Sequence, residues 1–311
     1  MHSGFEPFIL LHRYQDMNKI HRSFNILLFA LGIFSSAAPA RALTGVEIDA
    51  FLAGLSKKID LSKTNISLID LSEPDNPVRG GWHDREIVPV ASVIKLTLLA
   101  GAWRAVNEDG ISFDKIVKID KNNYTGTWFP DNDPFPAMKP GADWKFRDVV
   151  EVMVRRSDNI ATNTLIDLLD RAVVTTFMKR LGLENTAVRH KLSSGTDVND
   201  PQATGYNSMT PYDAATLLSL IARGRLLSPE ASEGMLSTLS KQMDRALIAA
   251  ALPPEASYAG KTGELSAARN DAAIVKAPGR HYVLVIFTRL PDAQAKPIIH
   301  AVTRAADAFL K

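Results

Sequence analysis

The chain has 311 residues, with 36 Lys and Arg against 34 Asp and Glu, and it contains no Cys. A composition of 46% hydrophobic and 23% charged residues is typical of a globular protein and excludes collagen, a long disordered tail and a multi-pass membrane protein. The absence of Cys excludes disulfide scaffolds, zinc ribbons, Cys–His proteases and iron–sulfur sites.

The first element in chain order is an apolar run from Phe24 to Phe34, preceded by Lys19 and Arg22 and followed by the small residues of 35–42. A membrane-spanning helix needs about 20 apolar residues, so this run is too short to span a bilayer comfortably. Basic residues, an apolar stretch and A-x-A positions are the three parts of a secretory signal peptide. We therefore predict that 1–42 is a cleaved export signal and that the mature protein is secreted or periplasmic. An uncleaved N-terminal anchor is the alternative.

A signal that begins at Met17 and ends at Ala42 has an ordinary length, and residues 1–16 precede it. We therefore expect Met17 to be the true start. Residues 1–42 carry four Lys or Arg and two Asp or Glu, which leaves 32 side chains of each sign in 43–311. A neutral balance gives no electrostatic footprint for nucleic acid or anionic lipid. We therefore expect the protein to bind no nucleic acid. We also expect a monomer that takes a small molecule and is not stably inserted in a membrane after cleavage.

The mature chain begins with helical and strand patterns. Apolar residues at helical spacing predict a helix over 45–59, and Asn65 to Leu71 predicts a strand. A mostly buried helix is predicted over Val93 to Val106. Further helices are predicted over Phe146 to Arg156 and over Ile160 to Asp170.

Two long segments, 121–144 and Thr186 to Met209, are irregular. A loop as long as the second one, inside a compact domain, is usually functional or mobile. Two helices then open at Thr210-Pro211 and Ser228-Pro229, where a polar cap is followed by a proline in the first turn.

The C-terminal part has strand patterns over 259–265, 270–275 and 281–287, and then an amphipathic helix from about Lys296. Strands therefore occur at both ends and helices in the middle. The predicted fold class is α/β of the α+β type: an antiparallel sheet built from both ends, flanked by helices, with an all-helical insertion over roughly 85–225. The cleft between insertion and sheet is the default place for chemistry.

An S-x-x-K motif, Ser92 and Lys95, opens the apolar helix. Residues three apart share one helical face, so the lysine amine can act as a base for the serine hydroxyl. Ser112 and Lys115 repeat the spacing, but they precede an alternating stretch in which the pair would diverge. Taken alone, the motif at Ser92 is explained better as a helix cap and a solvated lysine.

Two further motifs follow. Ser157-Asp158-Asn159, at the joint of two predicted helices, offers a hydroxyl and an amide, although a polar cap has the same composition. Lys261-Thr262-Gly263 lies in a predicted strand, and the missing side chain of the glycine would let a ligand backbone approach closely. An ordinary sheet edge with a solvated lysine is the alternative.

The order S-x-x-K, S-D-N, K-T-G is the one found in class A β-lactamases and penicillin-binding proteins. With the surrounding segments ASVIKLTLLAG, MVRRSDNIATNTLID and GKTGELSAARNDAAIV, these motifs make 43–311 resemble the catalytic domain of class A β-lactamases and their active-site-serine relatives. The resemblance implies a β-lactamase/transpeptidase-like fold and a serine hydrolase for β-lactam or peptide-like amide and ester substrates. The four histidines of 43–311 show no metal-like spacing, so we expect neither metal nor cofactor.

The resemblance also implies a role for each motif residue on the helical side. Ser92 is the acylated nucleophile, and Lys95 accepts its proton if burial or neighbouring cations lower the pKa of the amine. Ser157 relays a proton toward the leaving nitrogen. Asn159 binds the substrate amide and helps to place Lys95.

On the strand, the resemblance implies that Lys261 and Thr262 hold a substrate carboxylate and that Gly263 leaves room for the substrate. The backbone N–H groups of Ser92 and Glu264 form the oxyanion hole. Arg269 is expected to add positive charge at this end of the cleft.

The chain departs from the family pattern in the loop from Thr186 to Met209. Class A β-lactamases carry a glutamate there that activates the deacylating water, whereas this loop has only Asp197 and Asp200 as carboxylates. We therefore predict acylation followed by slow hydrolysis. The charge of Glu264, where small residues are common, would also oppose carboxylated substrates. Two alternatives remain: a penicillin-recognising sensor that stays acylated, and an esterase or peptidase on the same scaffold.

Overall fold

A computed structural model describes residues 43–125, 133–192 and 206–311. The predicted export signal, 1–42, and both loop carboxylates, Asp197 and Asp200, lie outside the described residues.

The strands within these ranges are short to medium in length and fall into two groups along the chain. They are β1 (Thr64–Asp70), β2 (Val78–Trp82), β3 (Ile116–Lys118), β4 (Asp143–Lys145), β5 (Ser257–Leu265), β6 (Ala268–Ala277) and β7 (Arg280–Thr288). The helices are α1 (Gly45–Ser56), α2 (Lys95–Asn107), α3 (Phe146–Arg155), α4 (Asn159–Leu169), α5 (Arg171–Arg180), α6 (Pro211–Ala222), α7 (Pro229–Ser240), α8 (Ile248–Ala251) and α9 (Asp292–Phe309).

A five-stranded antiparallel sheet is built from both ends of the described chain, in the order β2-β1-β7-β6-β5. Strand β1 joins the two halves, because Ile66 lies opposite Trp82 of β2 on one side and Ile286 of β7 on the other. Strands β3 and β4 form a separate two-stranded sheet. Helices α2 to α8 all lie between β2 and β5 in the sequence. The fold is therefore the predicted α+β arrangement, but the insertion is not all-helical, because β3 and β4 lie within 85–225.

The central strand β7 shows how the layers are held together. All of 282–287 is buried, because successive side chains point to opposite faces of the sheet and both faces are covered. Leu284 and Ile286 lie in the core that α1 and α9 cover. Val285 and Phe287 lie in the larger core that the helices between β2 and β5 supply. Each face thus has its own apolar core.

The two predicted helix openings with proline are confirmed. The Thr210 hydroxyl accepts a hydrogen bond from the N–H of Asp213 at 3.1 Å, and the Ser228 hydroxyl accepts one from Ala231 at 3.1 Å. Each cap satisfies a backbone donor that the first helical turn leaves unpaired. Proline follows directly because its missing N–H costs nothing at that position.

The last helix begins earlier than predicted. It starts at Asp292 instead of about Lys296, and Pro297 lies inside it. The missing N–H of Pro297 removes one helical hydrogen bond. Ile299 and Val302, both fully buried against the sheet, compensate for that loss through packing.

The sequence patterns also missed some elements. Strand β2 contains Gly80 and Gly81 and lacks clear alternation, so it has no strand signature. Helix α5 follows α4 after one residue, Asp170, which caps it through a 2.8 Å bond to the N–H of Ala172. The segment 121–144, predicted to be irregular, ends in β4.

Among residues 43–125, 133–192 and 206–311, no helix has the length and apolar character required to span a bilayer.

Candidate active site

Ser92 lies in a short 3-10 turn, Ala91–Ile94, that leads directly into α2. Ala91 has a φ of 51°, in the left-handed region that costs a non-glycine residue about 1–3 kcal/mol. Strain of this kind persists only where the surroundings hold the backbone. Here the Asn270 side chain of β6 donates to the carbonyl oxygens of Pro89 at 2.7 Å and Val90 at 3.2 Å. The sheet therefore fixes the turn that carries Ser92.

Lys95, at the first position of α2, is fully buried. Its Nζ donates to the Ser157 carbonyl oxygen at 2.6 Å, to Ser157 Oγ at 3.0 Å and to Asn159 Oδ1 at 2.8 Å. A charged lysine ammonium has three donors and can bond all three oxygens, whereas the neutral amine has two donors and a lone pair. The S-x-x-K and S-D-N motifs are thus joined through one amine.

The surroundings of Lys95 favour its neutral form. Burial lowers the pKa of Lys95 well below its ordinary value, and the nearby charge of Lys261 lowers it further, while Asp158 opposes both effects. A buried amine with a lowered pKa can accept a proton at neutral pH. The lysine that the sequence nominated as a base therefore has the electrostatic setting that a base needs.

The S-D-N motif is held rigidly between α3 and α4. Ser157 has a φ of 58°, which turns both its carbonyl and its hydroxyl toward Lys95. Asp158 caps α4 by accepting from the N–H of Ala161 at 3.0 Å, and its carboxylate meets Nε of Arg156 at 3.2 Å. The central aspartate thus fixes the backbone that presents Ser157.

The K-T-G strand, β5, is an edge of the main sheet and approaches the nucleophile turn closely. A Cβ placed on Gly263 would lie 3.0 Å from the carbonyl oxygen of Val90 and 3.1 Å from the backbone nitrogen of Ser92. Most Cβ contacts are longer than this, so a larger residue would require the two backbones to move apart by a few tenths of an ångström. Gly263 thereby brings Ser92 beside β5, one residue from the expected oxyanion donor Glu264.

Lys261 is also fully buried, and its Nζ donates to the carbonyl oxygen of Thr262 at 2.9 Å. Burial lowers the pKa of Lys261 to about 7, although the carboxylates of Asp244 and Asp271 oppose the change. Thr262 is buried as well, with Oγ1 2.5 Å from the side-chain amide of Gln242. These two residues are therefore much less open to solvent than an ordinary sheet edge would make them.

Arg269 does not supply the free positive charge expected of it. It lies opposite Glu264 in the β5–β6 ladder, with Nη1 3.4 Å from Oε2 of that residue. It also bonds to Asp244 at 2.7 Å and to Asp292 at 2.8 Å. Only 6% of its side chain is exposed. Its charge is thus taken up by three carboxylates of the protein.

The second S-x-x-K pair has a different setting. Ser112 is exposed in a turn, where its hydroxyl accepts from the N–H of Asp114 at 3.1 Å, and Lys115 is exposed too. The structure therefore gathers Ser92, Lys95, the S-D-N motif and the K-T-G motif, and leaves the Ser112 pair at the surface.

Two residues of the site were not singled out from the sequence, Asn163 and Leu192. Asn163 is one helical turn beyond Asn159 on α4, and its side chain donates to the Leu192 carbonyl oxygen at 3.0 Å and accepts from the Leu192 N–H at 2.7 Å. Leu192 lines a cleft of about 820 Å³ together with Ala91 and Leu265. The only available signal was the spacing of four between the two asparagines, which places them on one face of α4.

The arrangement can carry out acyl transfer at a serine. It combines a nucleophile at a fixed turn, a buried amine, a second hydroxyl and a strand edge along which a substrate can lie. Within the part of the chain that the structure describes, no three His, Cys, Asp or Glu side chains cluster as a metal site would require.

Comparison with known proteins places this geometry in a family. The model of the β-lactamase enzyme family matches residues 48–310. The fold is similar to that of PBP-A, with 26% identity over 84% of this chain and 96% of the other and a TM-score of 0.71. A mutant of PBP-A, solved as its acyl-enzyme complex with penicillin G, gives 25% identity over 84% and 96% of the two chains and a TM-score of 0.72.

A β-lactamase from Chitinophaga pinensis DSM 2588 is similar to the same degree, with 25% identity over 83% of this chain and 98% of the other and a TM-score of 0.71. No curated protein matches the chain significantly. The family model matches nearly all of 43–311, and the matched residues include the S-x-x-K, S-D-N and K-T-G motifs. The chain belongs to the β-lactamase enzyme family and is a serine hydrolase of the β-lactamase type.

Proposed function

We propose that the protein is acylated at Ser92 by β-lactams, or by related amide and ester substrates, and that it releases the acyl group slowly. The observation that carries the proposal is the setting of Lys95, which is buried, tied to Ser157 and Asn159, and held toward its neutral form.

In the first step, neutral Lys95 takes the proton of the Ser92 hydroxyl while Oγ attacks the substrate carbonyl carbon. The backbone N–H groups of Ser92 and Glu264 stabilise the negative oxygen of the tetrahedral intermediate. When the C–N bond breaks, the Ser157 hydroxyl gives its proton to the leaving nitrogen and receives one from the Lys95 ammonium, whose Nζ is 3.0 Å away. Lys95 returns to the neutral form, and the acyl group remains as an ester on Ser92.

Hydrolysis of that ester needs a base for the attacking water. The loop residue that the Asn163 amide holds against α4 is Leu192, whose side chain cannot accept a proton. The absence of Glu from the sequence of 186–209 supports the same conclusion. The solved acyl-enzyme of a PBP-A mutant with penicillin G supports acylation on a related scaffold. We therefore expect an ester that persists for minutes or longer.

The same leucine favours a second candidate, a sensor in which the long-lived acyl-enzyme is itself the signal. The two functions differ in turnover. A hydrolase converts many equivalents of substrate, whereas a sensor stops after one.

We further propose that 1–42 directs export, so that the catalytic region acts as a secreted or periplasmic monomer on small molecules, with residues of roughly 85–225 forming the helical side of the cleft. N-terminal sequencing of the native protein tests this, with a start at Leu43 or Arg41 expected. Recovery of an intact N-terminus in a membrane fraction would instead support an anchor.

The test of the main proposal is intact-mass measurement of the purified protein mixed with a penicillin and followed over time. One equivalent of adduct should form quickly and decay slowly. Ser92→Ala should form no adduct, and the matched control Ser112→Ala should behave as the wild type. Equal labelling of Ser92→Ala would disprove the assignment of the nucleophile.

A further inference from the structure

A small cavity lies beside the edge strand β2, between the main sheet and α6. Its volume is about 110 Å³, which is roughly the space that four water molecules occupy in the liquid. The polar part of its lining consists of Arg79, Thr216, Ser219 and Arg223, and the other lining residues are apolar. The cavity is therefore lined by two cations and two hydroxyls, without an acidic side chain.

The polar side chains reach the cavity from two elements. Arg79 lies opposite Ile69 in the β1–β2 ladder, so both side chains point to the face of the sheet that α6 covers. Thr216, Ser219 and Arg223 follow one another at intervals of three and four residues, which places them on one face of the helix and its last turn. A helix face that packs on a sheet is ordinarily apolar, so packing does not explain this polar stripe.

Neither arginine forms an ion pair with a carboxylate of the described residues. The Arg79 guanidinium donates to the Tyr212 carbonyl oxygen at 2.9 Å and to the Thr216 hydroxyl at 2.6 Å. The Arg223 guanidinium donates to the Pro74 carbonyl oxygen. A guanidinium has five N–H donors, so each arginine keeps several that these bonds do not use. Burial lowers the pKa of both side chains, as it does for cations that no anion compensates directly.

The nearest acidic side chains are engaged elsewhere. Asp84 and Asp213 act on Arg79 at longer range, but each accepts a hydrogen bond from the hydroxyl of another residue, at 3.0 and 2.8 Å. Asp75 pairs with Arg225. None of these three carboxylates lines the cavity. An anion inside it would therefore meet the guanidinium groups without a carboxylate between them.

The Ser219 hydroxyl adds a further donor. The residue is only 5% exposed, and its side chain makes no hydrogen bond within the described part of the chain. The carbonyl oxygens near the end of α6 do not compete for a ligand, because those of Ser219 and Leu220 accept from the N–H groups of Arg223 at 3.1 Å and Arg225 at 2.8 Å. The cavity thus offers unused donors, and the backbone acceptors beside it are occupied.

We propose that this cavity binds a small tetrahedral oxyanion of the phosphate or sulfate type. Guanidinium and hydroxyl groups are the donors with which proteins hold such anions. The bound ion would link β2 to α6 and stabilise the folded chain by mass action. The site shares no residue with the S-x-x-K, S-D-N and K-T-G motifs, so the inference does not rest on the proposed function.

The test is isothermal titration calorimetry of inorganic phosphate into the purified protein at constant ionic strength. The wild type should show saturable binding. Arg223→Gln should raise the Kd about tenfold or more, because it removes a charge-assisted contact, and Ser219→Ala should raise it severalfold. Arg304→Gln, an exposed arginine on α9, is the matched control for the change in net charge and should bind as the wild type does. Phenyl phosphate that binds as tightly as phosphate would assign the site to phosphate esters, and weaker binding would assign it to the free ion.

The cleft at Ser92 could also hold phosphate, so the binding that Arg223→Gln removes is the quantity that decides. Thermal unfolding gives a second measurement: phosphate should raise the Tm more than chloride at equal ionic strength, and the difference should shrink in Arg223→Gln. If Arg223→Gln does not fold, Ser219→Ala takes its place. The inference is overturned if the wild type shows no saturable binding up to about 50 mM phosphate, or if both variants bind as tightly as the wild type.

Discussion

The persistence of the acyl-enzyme should depend on one side chain, Leu192. The Asn163 amide holds both the N–H and the carbonyl of this residue, so a substituted side chain would project from a fixed backbone into the cleft that Ala91 lines beside Ser92. We predict that Leu192→Glu shortens the lifetime of the penicilloyl ester, because it introduces a base for the attacking water.

The size of the effect follows from the usual contribution of a positioned general base, about 10²–10⁴-fold. At 1.36 kcal/mol for each factor of ten, this is a barrier lower by about 2.7–5.4 kcal/mol. An ester that survives for hours in the wild type would then decay within minutes or less. Acylation should change little, since Lys95 and Ser157 are untouched.

The assay removes free penicillin from the labelled protein and follows the loss of the adduct by intact mass. Leu192→Gln is the matched control, because it has nearly the same size as the glutamate but no basic oxygen, and it should keep the wild-type lifetime. A Leu192→Glu protein that folds, acylates and still deacylates within about twofold of the wild type would refute the reasoning. The wild type could instead turn over penicillin rapidly. If Asp200→Asn or Asp197→Asn then stops the reaction at the acyl-enzyme, that aspartate supplies the base.

Three further predictions concern the lysines and the strand glycine. Lys95→Ala should slow acylation by about 10²–10⁴-fold, measured by stopped-flow with a chromogenic cephalosporin, and a loss below about threefold would mean that another base operates. The pKa of Lys261 is lowered from 10.5 to about 7, so between these pH values the unfolded chain binds more protons and this lysine makes stability rise with pH. Urea unfolding of Lys261→Met at pH 6.5 and 9 should show a smaller rise than the wild type, and an equal rise would contradict the buried position. Gly263→Ala should slow acylation about tenfold or more and lower the Tm, because its Cβ would lie 3.1 Å from the Ser92 nitrogen and 3.0 Å from the Val90 carbonyl oxygen. Unchanged kinetics would show that the turn moves aside without affecting the reaction.

The sequence was informative wherever local pattern and chemistry coincide. Ser92 and Lys95 could be chosen over the Ser112 pair because an apolar helix follows one and an alternating stretch follows the other. The strands at both ends were visible because β7 contains a continuous apolar run and β1 carries Ile66, Leu68 and Ile69 before a turn-forming segment.

Other features depend on contacts between distant segments and have no local signature. The hydrogen bonds between the Asn163 side chain and the Leu192 backbone join residues 29 positions apart. The neutralisation of Arg269 needs Asp244 and Asp292, which come from segments on either side of it in the chain. The sequence shows that Arg269 is present, but not that carboxylates of the protein balance its charge.

The pairing of β1 with β7 has a consequence for how the molecule comes into being. Ser67 lies opposite Val285, so the main sheet closes only after almost the whole polypeptide has been made. Local contacts can form the helices early, whereas a pairing over so long a separation must wait and is slow. The nucleophile turn is pinned to β6 and β5, which belong to the late half. A nascent or C-terminally truncated chain that lacks β5 and β6 therefore has Ser92 without the strands that hold its turn in place.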